Sequence, residues 1–237
     1  MIQSLLSKIG WHTGKYQREE FNRIGEDIES ILHLPDLGVN YIPWTTAALR
    51  PAGVRALLNE VVIHGRRSIL EFGAGVSTLY ISKYIKNNKI SGRVISVEED
   101  EEWASIVKEY LRKMDISSQY CRVVEAPLEK YSNRRIPELW YDSEIINGKI
   151  KGKKFDMIFV DGPVSWSDER KMARLPALPY VIDYLRDDFV VFLDDAEWGD
   201  QREILRRWVD DYDLEAELVA GMGVLRPSST ESFYDIL

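Results

Sequence analysis

Apolar residues along this 237-residue chain fall into two alternating rhythms. Phe21, Ile24, Ile28, Ile31 and Leu32 stand at helical spacing and predict an amphipathic helix over 18–32. Pro51 suits a first helical position, Val54, Leu57, Leu58, Val61 and Val62 continue as a stripe, and Gly65 closes it. Ile69 and Leu70 then open a short strand, followed by a helix to about residue 85 carrying Val76, Leu79, Tyr80 and Tyr84. Residues 93–98 form a second strand, and Trp103, Ile106, Val107, Tyr110 and Leu111 a further helix face. A third strand is expected at 120–124. The runs at 155–160 and 189–193 are almost wholly apolar, as strands buried on both faces are. Helices are expected at 178–185 and 201–209. Strand and helix alternate, which predicts a parallel, doubly wound sheet. The tail departs from this rhythm: 214–220 and 222–227 read as two strands split by Gly221, a terminal antiparallel hairpin.

Two regions stand outside the alternation. Residues 1–50 form a helical and extended appendage ahead of a main domain at 51–237, placed to pack on the core or to cover a substrate site. Residues 131–154 interrupt the order of strands. There Asn147-Gly148, between Ile145-Ile146 and Lys149-Ile150, predicts the turn of a β-ribbon insertion with Trp140 and Tyr141 at its base.

Composition narrows the function classes. Hydrophobic content of 45% and charged content of 30% suit a globular domain, and the formal net charge of -8 argues against a nucleic-acid partner. Lys149, Lys151, Lys153 and Lys154 cluster but read as a solvated loop. Cys121 has no second cysteine to pair with, which favours a reducing compartment. No apolar run is long enough to span a bilayer, and 1–10 is too short of apolar residues for a signal peptide. The expectation is a cytoplasmic protein that acts on small molecules rather than on membranes.

The chemistry concentrates after the strands, where open α/β sheets bind ligands. Glu71-Phe72-Gly73-Ala74-Gly75 is a strand end and a tight turn, with glycine where a Cβ would block a ligand's approach. Thr78 occupies the third glycine position of a dinucleotide fingerprint, so that fingerprint is broken. Glu98 ends the second strand, where a carboxylate can accept two hydrogen bonds from a ribose diol. Asp161-Gly162-Pro163 follows the 155–160 strand, and Asp194-Asp195-Ala196-Glu197-Trp198 follows the next.

These motifs resemble the class I S-adenosylmethionine (SAM)-dependent methyltransferases over about 51–227, through E-x-G-x-G at 71–75, the acidic run 98–102 before Trp103, and F-D-M-I-F-V-D-G-P at 155–163. The resemblance implies a Rossmann-like, doubly wound, mostly parallel seven-stranded sheet with a C-terminal antiparallel hairpin. It implies S-adenosyl-L-methionine as cofactor, with Glu71, Gly73 and Gly75 around its methionine moiety, Glu98 on the ribose, Ala126 and Leu128 along the adenine, and Asp161 at the reacting end. The whole most resembles bacterial members of that superfamily. Val160-Asp161-Gly162-Pro163, Arg174 and Pro176 are similar to carbohydrate O-methyltransferases, which makes the expected acceptor a hydroxyl on a sugar or small molecule.

Two readings of the acids remain open. In catechol-type O-methyltransferases, residues at the places of Asp161, Asp194 and Asp195 hold Mg²⁺, which polarises the acceptor hydroxyl. This chain lacks that group's lysine and has Asp195 where the group has Asn. The favoured alternative has Asp161 touching substrate or acting as base, with Asp194 and Asp195 capping the next helix. Of the three histidines, His64 suits a structural place at a helix end, and neither His12 nor His33 is singled out as a base. The rival functions are an NAD-linked oxidoreductase and a SAM-binding module without catalysis.

Overall fold

The computed structural model describes residues 2–133, 136–167 and 170–228, without the side chains of 2–17 and 131–138. Its helices are α1 (Ile2–His33), α2 (Pro51–Ile63), α3 (Val76–Asn87), α4 (Glu101–Lys113), α5 (Ser143–Ile150), α6 (Ala177–Val181) and α7 (Gly199–Tyr212). The strands are β1 (Ser68–Phe72), β2 (Arg93–Glu98), β3 (Cys121–Glu125), β4 (Leu128–Asn133), β5 (Ile136–Tyr141), β6 (Phe155–Val160), β7 (Leu185–Leu193), β8 (Leu214–Val219) and β9 (Met222–Pro227). A seven-stranded sheet runs in the order β3-β2-β1-β6-β7-β9-β8. The first five strands are parallel, and β9 and β8 return antiparallel, which is the predicted terminal hairpin.

Alternation along each strand divides the interior in two. Ile69 of β1 with Met157 and Phe159 of β6 enter the core under α2, α3 and α4. Leu70, Phe72, Ile158 and Val160 point the other way, toward α5, α6 and α7. Reversal of strand order between β1 and β6 opens a crevice at their carboxyl ends, where the β1, β2, β6 and β7 loops meet.

Local chemistry fixes the helices around that crevice. Asp100 caps α4 by accepting from Trp103 N at 2.8 Å. Glu101 and Glu102 lie in its first turn, Arg112 and Lys113 in its last, as the helix dipole favours. Far from the crevice, buried Glu60 of α2 accepts from Arg66 Nε at 2.8 Å, and from Arg226 of β9 at 3.0 and 2.7 Å.

The insertion is corrected. A two-stranded antiparallel ribbon is present, but it is β4 with β5, and Asn147-Gly148 is not its turn. Asp142 accepts from Glu144 N and Ile145 N and so starts α5, which buries Ile146 and Ile150 on one face. Tyr180 Oη donates to Asn147 Oδ1 at 2.9 Å, so the asparagine holds α5 against α6. Two isoleucines four apart with a capping aspartate outweigh a turn-forming dipeptide. Trp140 and Tyr141 do sit at the ribbon's base, fully buried against Phe72.

The amphipathic stripe of α1 is the second departure. The helix is longer than 18–32, and it meets α2 through its polar side. Asp27 accepts from Arg50 Nε at 3.0 Å and from Ala52 N at 3.2 Å, and Ser30 is buried. Phe21, Ile24, Ile28, Ile31 and Leu32 face outward.

Candidate active site

The β1–α3 turn is shaped by what glycine lacks. Gly73 has φ +93°, and a Cβ there would meet Gly162 N at 2.7 Å. A Cβ on Gly162 would meet Tyr141 Oη at 2.2 Å and Gly73 Cα at 2.9 Å. The β1 and β6 loops therefore touch backbone to backbone. Gly75 faces open space, with no atom within 4 Å of where its Cβ would stand.

A cavity of about 800 Å³ opens from this turn. Residues 73–77, Glu98, Glu99, Asp100 and Trp103 line it, together with Asp161, Gly162, Asp194 and Asp195. Arg23, residues 45–50, Trp166, Arg170, Arg174 and Trp198 are also in the lining. The volume suits a nucleoside-sized ligand together with a second small molecule.

Glu98 ends β2 with both carboxylate oxygens engaged: Oε2 accepts from Ala74 N at 2.8 Å and Oε1 from Asp100 N at 2.9 Å. Each oxygen keeps acceptor capacity toward the cavity. Burial, and next the charge of Glu99, push this carboxyl up to about 8. Trp103 Nε1 donates to Ala74 O at 2.7 Å, fixing the turn from the α4 side.

Glu71 lies beneath the cavity wall rather than in it. It is buried and accepts from Ser77 Oγ and Thr78 Oγ1 of α3, each at 2.5 Å. Burial raises its pKa against the lowering effect of those hydroxyls and of Ser96. Thr78 also accepts from Gly75 N at 2.9 Å. The residue that breaks the dinucleotide fingerprint thus ties β1 to the first turn of α3.

Ala126 is buried and donates its N–H to Glu98 O at 2.9 Å. Leu128 packs against the core on the α5–α7 side. Neither is among the cavity's lining residues. His33 and His64 are likewise away from it, and the side chain of His12 lies outside the described residues.

Arg174 organises the acids. Its guanidinium, 3% exposed, approaches Asp161 Oδ1 at 3.3 Å and Asp195 Oδ2 at 3.7 Å. It also donates to Pro163 O at 3.3 Å and Asp194 O at 3.2 Å. A cation already sits between these carboxylates, and Asp161 and Asp195 spend donor oxygens on it. Among the described residues no group of three or more His, Cys, Asp or Glu stands where a metal ion could be held. The set does not fit Mg²⁺, which asks for compact oxygen coordination free of a competing guanidinium. Nor do Asp194 and Asp195 cap α7 with their side chains: Trp198 is the N-cap residue, and no side-chain cap bond is made. Asp195 adopts φ +60°, the left-handed conformation, in the turn between β7 and α7.

Burial raises Asp161 to about 6, with Arg174 pulling down and Asp195 pushing up. Asp194 is raised well above the ordinary range by burial and then by the charges of Asp161 and Asp195. Burial and neighbouring charge thus favour the protonated form of Asp194 more strongly than that of Asp161.

Sequence reasoning missed Ser77, Arg23, Trp166 and Arg170, and named Trp103, Arg174 and Trp198 only within a resemblance or a strand-end run, not as site residues. Trp103 had a signal, since it stands one turn into a helix that opens at the crevice. Ser77, in the first turn of α3, had the same signal, whereas Arg23 of α1 and Trp166 and Arg170 after β6 reach the cavity from distant parts of the chain and had none.

Residues 70–196, more than half of the chain, match the family model described as a methyltransferase domain. No curated protein matches the chain. Among solved structures, the SAH-bound methyltransferase PaMTH1 of Podospora anserina is 13% identical with a TM-score of 0.58, covering 87% of this chain and 88% of that one. The O-methyltransferase from Bacillus cereus in complex with SAH is 16% identical, TM-score 0.53, covering 86% and 90%. TomG of Streptomyces achromogenes, an O-methyltransferase involved in tomaymycin synthesis and solved with SAM, is 15% identical, TM-score 0.52, covering 87% and 90%. At these identities the likeness is one of fold.

Proposed function

Because the chain belongs to the methyltransferase-domain family, we propose that it transfers the methyl group of S-adenosyl-L-methionine to a hydroxyl of a small molecule or sugar. One observation carries this reading: a single cavity joins the open glycine turn and Glu98 to the Asp161 carboxylate, which Arg174 holds in place. SAM when bound supplies an electrophilic methyl on a sulfonium, and transfer leaves S-adenosylhomocysteine (SAH). Gly73 and Gly75 leave room for its methionine end, and Glu98 accepts from its ribose diol. Glu71 acts as a positioning residue, holding α3 to β1 so that the turn stays open. Asp161 accepts the proton of the acceptor hydroxyl, whose oxygen then bonds to the methyl carbon. Arg174 favours the ionised form of Asp161 and orients it, beside the Asp194 carboxyl. Trp166 and Trp198 are exposed aromatic residues available to the acceptor, with Arg170 also in the cavity's lining. In this reading 1–50 supply the acceptor-side wall through Arg23 and residues 45–50.

The direct test is transfer of labelled methyl from SAM to a panel of hydroxylated aromatics and sugars. Turnover is expected with wild type and to be lost in Asp161→Asn. With an acceptor in hand, kcat/KM is expected to fall with the ionised fraction of Asp161 as pH drops below about 6. A profile flat through that range removes Asp161 as base.

Glu98 gives a test that needs no acceptor. A pKa of about 8 leaves the carboxyl mostly protonated at neutral pH, yet only the carboxylate accepts two ribose hydroxyls. SAH binding is therefore expected to release protons, seen by calorimetry in buffers of different ionisation enthalpy. Glu98→Ala removes the release and weakens binding by on the order of tenfold to a hundredfold.

A further inference from the structure

Helix α1 is folded onto the domain the wrong way round for an amphipathic helix. A helix on a globular domain usually buries its apolar stripe. Here Phe21 and Leu32 are 75% and 77% exposed, and Ile24, Ile28 and Ile31 49%, 58% and 56%. The opposite side carries the contacts, since Arg50 donates to Arg23 O and to Asp27, and Glu29 pairs with Arg55 at 3.7 Å. These polar contacts settle which way α1 faces, so its apolar face is presented outward by construction.

We propose that this face is the interface of a homodimer, paired with α1 of a second copy about a two-fold axis. Three features select a second copy. The spacing of Phe21, Ile24, Ile28 and Ile31 reads three-four-three from either end, so it is its own complement. An antiparallel pairing centred near Glu26 sets Phe21 against Ile31 of the other copy, and Ile24 against Ile28, the isologous arrangement a two-fold axis requires. Gly25, beside the centre, has nothing within 4 Å of where a Cβ would stand, so two helix axes can approach closely there. The five side chains present an apolar area on the order of 500 Å², at the upper end for a monomer's largest patch. Two such faces bury roughly 1,000 Å² between them, and with the flanking residues of the two helices this reaches the range of a stable dimer.

The dimer also bears on the cavity. Arg23 of the same helix pairs with Glu197 at 3.3 Å and lies over the Trp198 ring at 5.6 Å. A partner helix along α1 would hold that wall in place.

Sedimentation velocity on the full chain should give twice the 27.5 kDa chain mass. Phe21→Glu and Ile28→Glu, each at an exposed position, should give the chain mass while keeping the far-UV spectrum and SAH affinity, with the dimer dissociation constant raised about a hundredfold or more. Under oxidation, an equal mixture of Ile24→Cys and Ile28→Cys proteins should cross-link more than either alone, because the antiparallel register pairs position 24 with 28. A wild type that stays monomeric at high concentration overturns the proposal. So does a dimer that survives both glutamates, which places the contact elsewhere. A monomer that dimerises only after removal of residues 229–237 also overturns it, since the chain's own tail would then be the occupant.

Discussion

Replacing Arg174 by methionine is expected to lower methyl transfer by roughly a hundredfold or more and to destabilise the fold by about 3 kcal/mol. The guanidinium is 3% exposed, and methionine fills its space without its charge. Asp161, Asp194 and Asp195 would then converge without a cation, with the Asp194 and Pro163 carbonyls losing a donor. Because Arg174 is what lowers Asp161, its removal pushes that carboxyl further above about 6. The distinguishing readout is pH: residual activity should show its acid limb displaced upward, which a purely structural loss does not produce. Arg174→Lys should restore most of the stability but little of the rate, since an ammonium cannot span Asp161, Asp195 and two carbonyls at once. Chelation by EDTA is expected to leave wild-type turnover unchanged, because the position between the acids is held by Arg174. EDTA-sensitive turnover restored by Mg²⁺ would refute this assignment of the site.

The largest loss of stability is expected at Glu60, far from the chemistry. Glu60→Ala leaves Arg66 and Arg226 buried without their shared carboxylate, at a cost of about 3–5 kcal/mol. The triad joins α2, the start of β1 and the returning strand β9, so its loss loosens the edge where the antiparallel hairpin meets the sheet. Burial raises the Glu60 pKa, but the hydrogen bonds and charges of Arg226 and Arg66 outweigh it and the net shift is downward from 4.5. A depressed carboxyl stabilises the fold above its unfolded pKa, and this contribution is lost as pH falls through the folded one. Wild type should therefore lose stability below about pH 4.5 more steeply than Glu60→Gln. Urea unfolding across that range checks both the magnitude and the sign. Equal slopes would mean that Glu60 is not the group responsible.

The neighbouring residues of the site show where a sequence is readable. Gly73, Gly75, Glu98 and Asp161 were each placed at a strand end by local pattern, and the structure brings all four to one cavity. Their geometry follows from backbone constraints, which act over a few residues. Glu71 shows the limit. Its position before the turn was legible, but whether its carboxylate faced a ligand depended on the alternation of β1, which sends it under α3 to Ser77 and Thr78. Asn147-Gly148 failed for a related reason, since a two-residue signal was outweighed by the Asp142 cap and by Tyr180, thirty-three residues away.

The alternation of strands and helices, the terminal hairpin, the two-sided core and the ligand-binding end of the sheet are all legible along the chain. Each of these is carried by periodicity, by glycine or by a strand terminus, and such information is local. What stands between the acids emerges from folding alone. Arg174 reaches Asp161 and Asp195 across the loops after β6 and β7, and no spacing announces a guanidinium where a divalent cation was one expectation. Folding likewise settles which side of α1 is buried. Hydrophobic periodicity identifies a stripe, but Asp27 and Arg23, bonded to Arg50, choose the face that meets the domain, and so leave the apolar stripe for something else to cover.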